Sequence, residues 1–217
     1  STTGLSGFNH VNVGGAMTCT GTIVNKIDAT TENAVIIGFE ANKNNTNTDG
    51  SVIIGYRAGY QNATGKGYNT FLGYNAGYAG GGTNGSNNTM IGNRAGSAIQ
   101  NGGNNVGIGS DALYAITSGG SNVAVGAYAM DEATTSSYSV AIGKGALHSV
   151  DGDEMQNIAI GYDAGANIDH DNADGNVIVG FEAGTGGAAA MADCVVIGSS
   201  AFNSTGSNAQ TGTIAIG

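Results

Sequence analysis

A four-residue phrase, apolar–x–apolar–Gly, returns eleven times along this 217-residue chain. Its glycines are Gly38, Gly55, Gly73, Gly92, Gly109, Gly126, Gly143, Gly161, Gly180, Gly198 and Gly217, always 17 to 19 residues apart. Further columns keep the same period. Three residues after the glycine stands alanine, from Ala41 and Ala58 through Ala183 and Ala201. Directly before it stands Ile, Leu or Val, and three before it Val or Ile, with Thr70 and Thr89 as exceptions. Four before it, asparagine recurs at Asn69, Asn88, Asn105, Asn122, Asn157 and Asn176, with Ser51 and Ser139 in its place twice.

A unit this short carries one strong strand. β-branched residues suit a pleated surface. The glycine allows a turn closed to other residues, and the alanine marks a corner where coils pack closely. The remaining residues of each unit are Gly, Ser, Thr, Asn and Tyr and vary in number, as outer loops do. Propeller blades are longer, and ankyrin, tetratricopeptide and leucine-rich units have other frames. The period predicts an all-β fold, a parallel β-solenoid of about eleven coils over residues 34–217. Ten steps of about 4.8 Å make a rod of roughly 50 Å, along which stacked asparagines form amide ladders. Residues 1–33 carry no phrase and read as an N-terminal junction or a cap on the open sheet edge.

Strand side chains alternate between two faces. Taking the residues one and three before the glycine as the coil interior leaves the middle residue pointing outward. That column reads Ile36, Ile53, Phe71, Met90, Gly107, Ala124, Ala141, Ala159, Ile178, Val196, Ala215, without one polar residue. An apolar stripe of this depth marks an interaction surface. It predicts an interface between chains in a closed homo-oligomer. The competing reading is a flattened coil whose own loops cover the stripe.

Composition narrows the function. Gly contributes 40 residues, there is no Pro or Trp, and the net charge is −10. Through Lys144 the chain has 6 basic and 7 acidic residues, and beyond it nine acids and no Lys or Arg. Such a field disfavours nucleic acid and anionic membranes. No apolar run is long enough for a membrane helix, and no signal-peptide pattern is visible at the N-terminus. The two cysteines, Cys19 and Cys194, make neither a disulfide scaffold nor a zinc motif. In an extended rod they stand too far apart to bridge within one chain.

The phrase "SVAIG" at 139–143 resembles the head repeat of the YadA-type trimeric autotransporter adhesins. The longer forms "NIAIGYDAG" at 157–165 and "NTFLGYNAG" at 69–77 resemble repeats of bacteriophage tail fibres. The resemblance covers residues 34–217 and concerns architecture rather than chemistry. It implies a β-roll homotrimer, intertwined or side by side, on a virion tail or outside the cell. The partners it implies are other fibre or tail proteins and a host-surface glycan or outer-membrane protein. The units here are longer than the adhesin repeat, and no neck, coiled-coil stalk or membrane anchor is seen. The expected function is therefore the structural and receptor-binding segment of a phage tail fibre. The alternative is an adhesin head, and the third reading a polysaccharide-degrading, tailspike-like enzyme. The closing phrase at Gly217 has no alanine corner after it, so the ladder is expected to continue or to have been cut there.

Few residues suggest chemistry. Asp169, Asp171 and Asp174, around His170, have oxygen-rich spacing that suits Ca²⁺. They lack an EF-hand frame and the repeats of calcium-bound β-rolls, so a solvated anionic loop is the plainer reading. Glu154 and Asp171 on adjacent coils are the pair a glycosidase would need. The three histidines are scattered, no nucleophile–base arrangement stands out, and no cofactor or enzymatic activity is expected. The tyrosines are more informative. Tyr60, Tyr78 and Tyr114 each stand five residues after a motif glycine and should align along one side of the rod. Phe39, Tyr56, Tyr74, Tyr162 and Phe181 stand one residue after it. Exposed tyrosines combine an apolar face with a polar tip and suit receptor contact. Both rows also suit ring ladders that stiffen the rod.

Overall fold

The computed structural model describes residues 34–44, 50–61, 67–78, 85–150, 154–168, 173–186, 191–203 and 209–217. Segment 1–33, with Cys19, lies outside them. The chain is an all-β parallel solenoid, and among the described residues it has no helix. Each phrase forms a three-residue strand: β1 (Val35–Ile37), β2 (Val52–Ile54), β3 (Thr70–Leu72), β4 (Thr89–Ile91), β5 (Val106–Ile108), β6 (Val123–Val125), β7 (Val140–Ile142), β8 (Ile158–Ile160), β9 (Val177–Val179), β11 (Val195–Ile197) and β13 (Ile214–Ile216). These eleven strands stack in chain order into one parallel sheet. The turns between them number slightly fewer than the coils expected. The short strands β10 (Met191–Ala192) and β12 (Gln210–Thr211) pair in parallel on a second wall. Register is exact to the motif: Val123 faces Val140, Ala124 faces Ala141 and Val125 faces Ile142.

The glycine column explains how coils stack so closely. From Gly38 to Gly198 the motif glycines have φ between +127° and +145°. A Cβ on any from Gly38 to Gly180 would lie 2.2 to 2.5 Å from the carbonyl oxygen of the next motif glycine. Each N–H from Gly55 onward donates to the strand end of the preceding coil, as Gly126 does to Ile108 at 2.8 Å. The alanine column is buried from Ala41 to Ala183. Eight of its N–H groups close the corner onto the glycine carbonyl three residues back, as Ala129 does onto Gly126.

The asparagine column is a buried ladder. Asn105, Asn122 and Ser139 donate their backbone N–H to Asn88 Oδ1, Asn105 Oδ1 and Asn122 Oδ1, all at 2.9 to 3.0 Å. Each amide nitrogen reaches a carbonyl of the next coil, as Asn122 Nδ2 reaches Ser136 O at 2.7 Å. Where serine stands in, Ser139 Oγ accepts the Asn157 N–H at 3.2 Å. Cys194 occupies the same column. Its N–H donates to Asn176 Oδ1 at 3.0 Å, and its thiol lies 3.2 Å from Ala192 O. It is a buried rung of the ladder.

The strand faces are the reverse of the sequence expectation. The middle residue lies in the chain's own core: Ile36, Ile53, Phe71, Met90, Ala124, Ala141, Ala159, Ile178 and Val196 are all buried. That column is therefore closed to a neighbouring chain. The two flanking columns face outward, Ile37 at 42%, Leu72 at 42% and Ile142 at 40% exposure among them. Alternation defines two faces, and with both apolar it does not say which is inside. The inside is set by the opposite wall. In seven of the coils the residue four after the glycine complements the middle residue in size, whereas Ala159 pairs with Gly165, Ile36 with Asn42 and Val196 with Phe202. Ile53, Phe71, Met90 and Ile178 are matched by Gly59, Gly77, Gly96 and Gly184, whose added Cβ atoms would meet those side chains at 2.6 to 3.2 Å. Gly107, Ala124 and Ala141 are matched by Leu113, Met130 and Leu147, all fully buried. Ile99, Ile116, Val150 and Ile168, seven after the glycine, complete this wall. The cross-section has a fixed volume, which interiors fill densely.

Leu113, Met130 and Leu147 fill it with φ of 50° to 54°, a conformation that costs such residues about 1–2 kcal/mol. The compensation is testable. Ala124→Met alone is expected to overpack this coil and cost about 1–3 kcal/mol. Adding Met130→Gly recreates the Met90–Gly96 arrangement and relieves the positive φ. Chemical denaturation should show most of the loss recovered in the double variant.

Candidate functional site

The turns that follow each glycine carry the aromatic and charged side chains. Backbone bonds hold them in register: Gln61 N–H donates to Tyr78 O, Ala98 N–H to Tyr114 O and Ala115 N–H to Asp131 O, at 2.9 to 3.0 Å. One column thus runs Lys43, Tyr60, Tyr78, Ser97, Tyr114, Asp131, His148.

Within it the three predicted tyrosines part company. Tyr60 and Tyr78 stack with centroids 5.2 Å apart and planes 7° from parallel. Ser97 separates them from Tyr114. In the column one residue after the glycine, Phe39 stacks on Tyr56, Tyr56 on Tyr74 and Tyr162 on Phe181, at 5.1 to 5.6 Å. Parallel strands repeat at about 4.8 Å, so rings on successive rungs meet face to face. A stacked ring spends a face on its neighbour and turns its edge outward. Tyr60 and Tyr78 accordingly form a ladder. Cations extend it: Arg57 lies 5.1 Å from the Tyr56 centroid and 5.3 Å from that of Tyr60, with Lys43 5.8 Å from the latter. Glu40 ties both cations together, pairing with Lys43 and accepting from Arg57 Nε at 2.7 Å. These two bonds hold the Glu40 carboxyl below its ordinary range.

Tyr114 belongs to a different arrangement. It lines an open cleft of about 550 Å³ together with Arg94, Asp111, Ala115, Tyr128, Asp131 and Glu132. Arg94 Nε forms an ion pair with Asp111 Oδ1 at 2.7 Å, and the guanidinium stands 5.0 Å from the Tyr114 centroid. Asp111 is buried and also accepts from Ser110 Oγ at 3.0 Å. Asp131 pairs with His148 Nδ1 on the next coil. Burial pushes the Asp131 carboxyl above its usual range, with the bond to His148 pulling it down. Tyr128 and Tyr114 are 43% and 39% exposed, and among the described residues neither stacks on another ring. Tyrosine spacing singled out Tyr114. Arg94, Asp111, Tyr128, Asp131 and Glu132 lie two, five or six residues after a glycine in variable columns, and only stacking the coils gathers them.

Asp169 and Asp171 lie outside the described residues, so the Ca²⁺ reading and the Glu154–Asp171 pair fall there as well. Asp174 accepts the Met155 N–H at 2.6 Å, a structural bond between coils. Glu154 is buried. Among the described residues no cluster of three His, Cys, Asp or Glu could hold a metal, and no helix is long and apolar enough to cross a membrane.

The largest surface feature is the sheet itself. The flanking columns of all eleven strands carry Val, Ile or Leu at every position except Thr70 and Thr89. Every one of these side chains is partly or largely exposed in the single chain. Ten inter-strand steps make this strip roughly 48 Å long. No charge interrupts it, the opposite of how an exposed face is kept soluble. No protein-family model, no curated protein and no solved structure matches the chain.

Proposed function

We propose that this chain is the structural and receptor-binding segment of a homotrimeric fibre of the bacteriophage tail-fibre type, acting outside the cell to attach a virion to its host. The observation that carries the reading is the apolar strip on the sheet. Parallel sheets are ordinarily covered on both faces, and an apolar patch this long on a soluble protein marks an interaction surface. An identical strip on a second and third copy is its natural cover, because the strip has the same rung spacing and no charge to oppose approach. Closed symmetry then removes all the strips from water. The interface columns are Val140 and Ile142 and their equivalents. Turns bearing tyrosine and charge remain outside, repeated around the shaft, which suits multivalent attachment. The resemblance of "NIAIGYDAG" and "NTFLGYNAG" to fibre repeats supports the same reading.

Light scattering tests the assembly. The purified chain should have about three times its monomer mass at micromolar concentration. Val140→Lys with Ile142→Lys places two charges on β7 and should shift it to monomer while leaving its circular dichroism unchanged. A monomeric wild-type chain would sink the reading.

A further inference from the structure

We infer that the cleft between Arg94, Tyr114, Tyr128 and Glu132 is a binding site for a neutral saccharide. The inference rests on the attachment reading only for its biological purpose, and its chemistry stands on the cleft itself.

The cleft differs from the rest of the turn surface. Elsewhere on this face rings are spent on one another, in the Phe39–Tyr56–Tyr74, Tyr60–Tyr78 and Tyr162–Phe181 stacks. Each stacked ring gives at least one face to its neighbour. At the level of β5 and β6 the ladder is interrupted. One residue after the glycine the column reads Asn93, Ser110, Ala127, and Gly145 follows Tyr128 on the next coil. Tyr128 and Tyr114 stand free of ring partners there, each more than a third exposed. Arg94 occupies one side of Tyr114 at 5.0 Å and fixes its position.

The polar groups are those that bind hydroxyls. A guanidinium has five N–H donors, of which Arg94 Nε faces Asp111. The Glu132 carboxylate is exposed at the rim and accepts hydrogen bonds. Asp131, which also lines the cleft, is paired with His148. A donor fork, an acceptor and two aromatic surfaces around one opening match the alternating C–H and O–H faces of a sugar ring. A volume of about 550 Å³ lies within the usual range for small-molecule sites. Charge selects the class. Three carboxylates against one guanidinium leave the lining negative. Sialic and uronic acids are repelled by that field. An open cleft binds one sugar weakly, but several copies on one shaft raise avidity by about 10²–10⁴.

The test uses the intact assembly on beads displaying neutral hexose and N-acetylhexosamine disaccharides, beside beads carrying sialylated or uronic-acid glycans. Retention on neutral beads is expected, and at least a tenfold loss with Tyr128→Ala and with Glu132→Gln. Circular dichroism and mass should be unchanged in both variants. No retention on the neutral beads, equal retention of the variants, or preference for acidic beads would each overturn the site. Light scattering reads the fibre proposal separately. A trimer that ignores neutral sugars loses only the cleft, and a monomer that binds them loses only the fibre.

Discussion

Gly126→Ala is expected to destabilise the chain by about 3 kcal/mol or more, through two effects that add. The new Cβ would lie 2.4 Å from the Gly143 oxygen and 2.5 Å from its carbonyl carbon, and backbone cannot yield as a side chain does. The residue must also hold φ at +139°, a region costing about 1–3 kcal/mol outside glycine. Relief requires opening the gap between β6 and β7, which breaks their ladder. Because each coil touches only its neighbours, the damage is local in space and cooperative along the rod. Amide exchange should accelerate first at Val123–Val125 and Val140–Ile142. Gly212→Asn is the control. Gly212 has φ +65° and nothing within 4 Å of an added Cβ, so its cost should stay below about 1 kcal/mol. Equal denaturation midpoints for Gly126→Ala and wild type would contradict the stacking of the glycine column.

The asparagine ladder should be nearly as sensitive. Asn122 is buried and bonds in three directions: Nδ2 to Ser136 O at 2.7 Å, Nδ2 to Asn105 Oδ1 at 3.1 Å, and Oδ1 to Ser139 N–H at 3.0 Å. Asn122→Ala removes all three, and no water reaches the Ser139 N–H cheaply. A buried group that loses its partner costs about 1–3 kcal/mol, so a loss of about 3 kcal/mol is expected. Asn122→Ser should cost roughly 1 kcal/mol, since serine already serves in this column. Ser51 Oγ accepts Asn69 N–H at 3.0 Å just as Ser139 Oγ accepts that of Asn157. Urea denaturation of the two variants provides the measurement. Were alanine and serine equivalent, the ladder would contribute packing rather than hydrogen bonds.

The two predictions share a cause that bears on how much of this molecule can be read from its sequence. In a parallel, in-register ladder every residue faces its own equivalent on the next coil. A constraint at one position therefore recurs at a fixed interval. The glycine must accept positive φ and leave room for its neighbour's carbonyl, so it appears in every copy. Asparagine must bridge two coils, so it recurs, with serine able to do half the work. Cys194 carries no such signal in its own chemistry, and its role as a rung emerges only from its place in the column.

The candidate site lay beyond this logic. The outward-facing turn residues are less tightly constrained by their equivalents and vary from coil to coil. Tyr114 could be selected by spacing, but its separation from Tyr60 and Tyr78 depends on Ser97, and its partners Arg94 and Glu132 come from other coils. By spacing alone Tyr60 and Tyr78 suit a ladder or a binding surface equally, and their stacking at 5.2 Å makes them a ladder.

The sequence by itself determined the period, the parallel register and the glycine, alanine and asparagine columns, because each is a local requirement copied once per coil. The tertiary structure alone decided which strand face is the core. Both faces are apolar, and the inside is defined by the wall opposite, built by residues four and seven positions beyond the glycine. Ala124 is inside because Met130 fills the space across from it, and Val123 and Val125 are outside because, among the described residues, nothing stands over them.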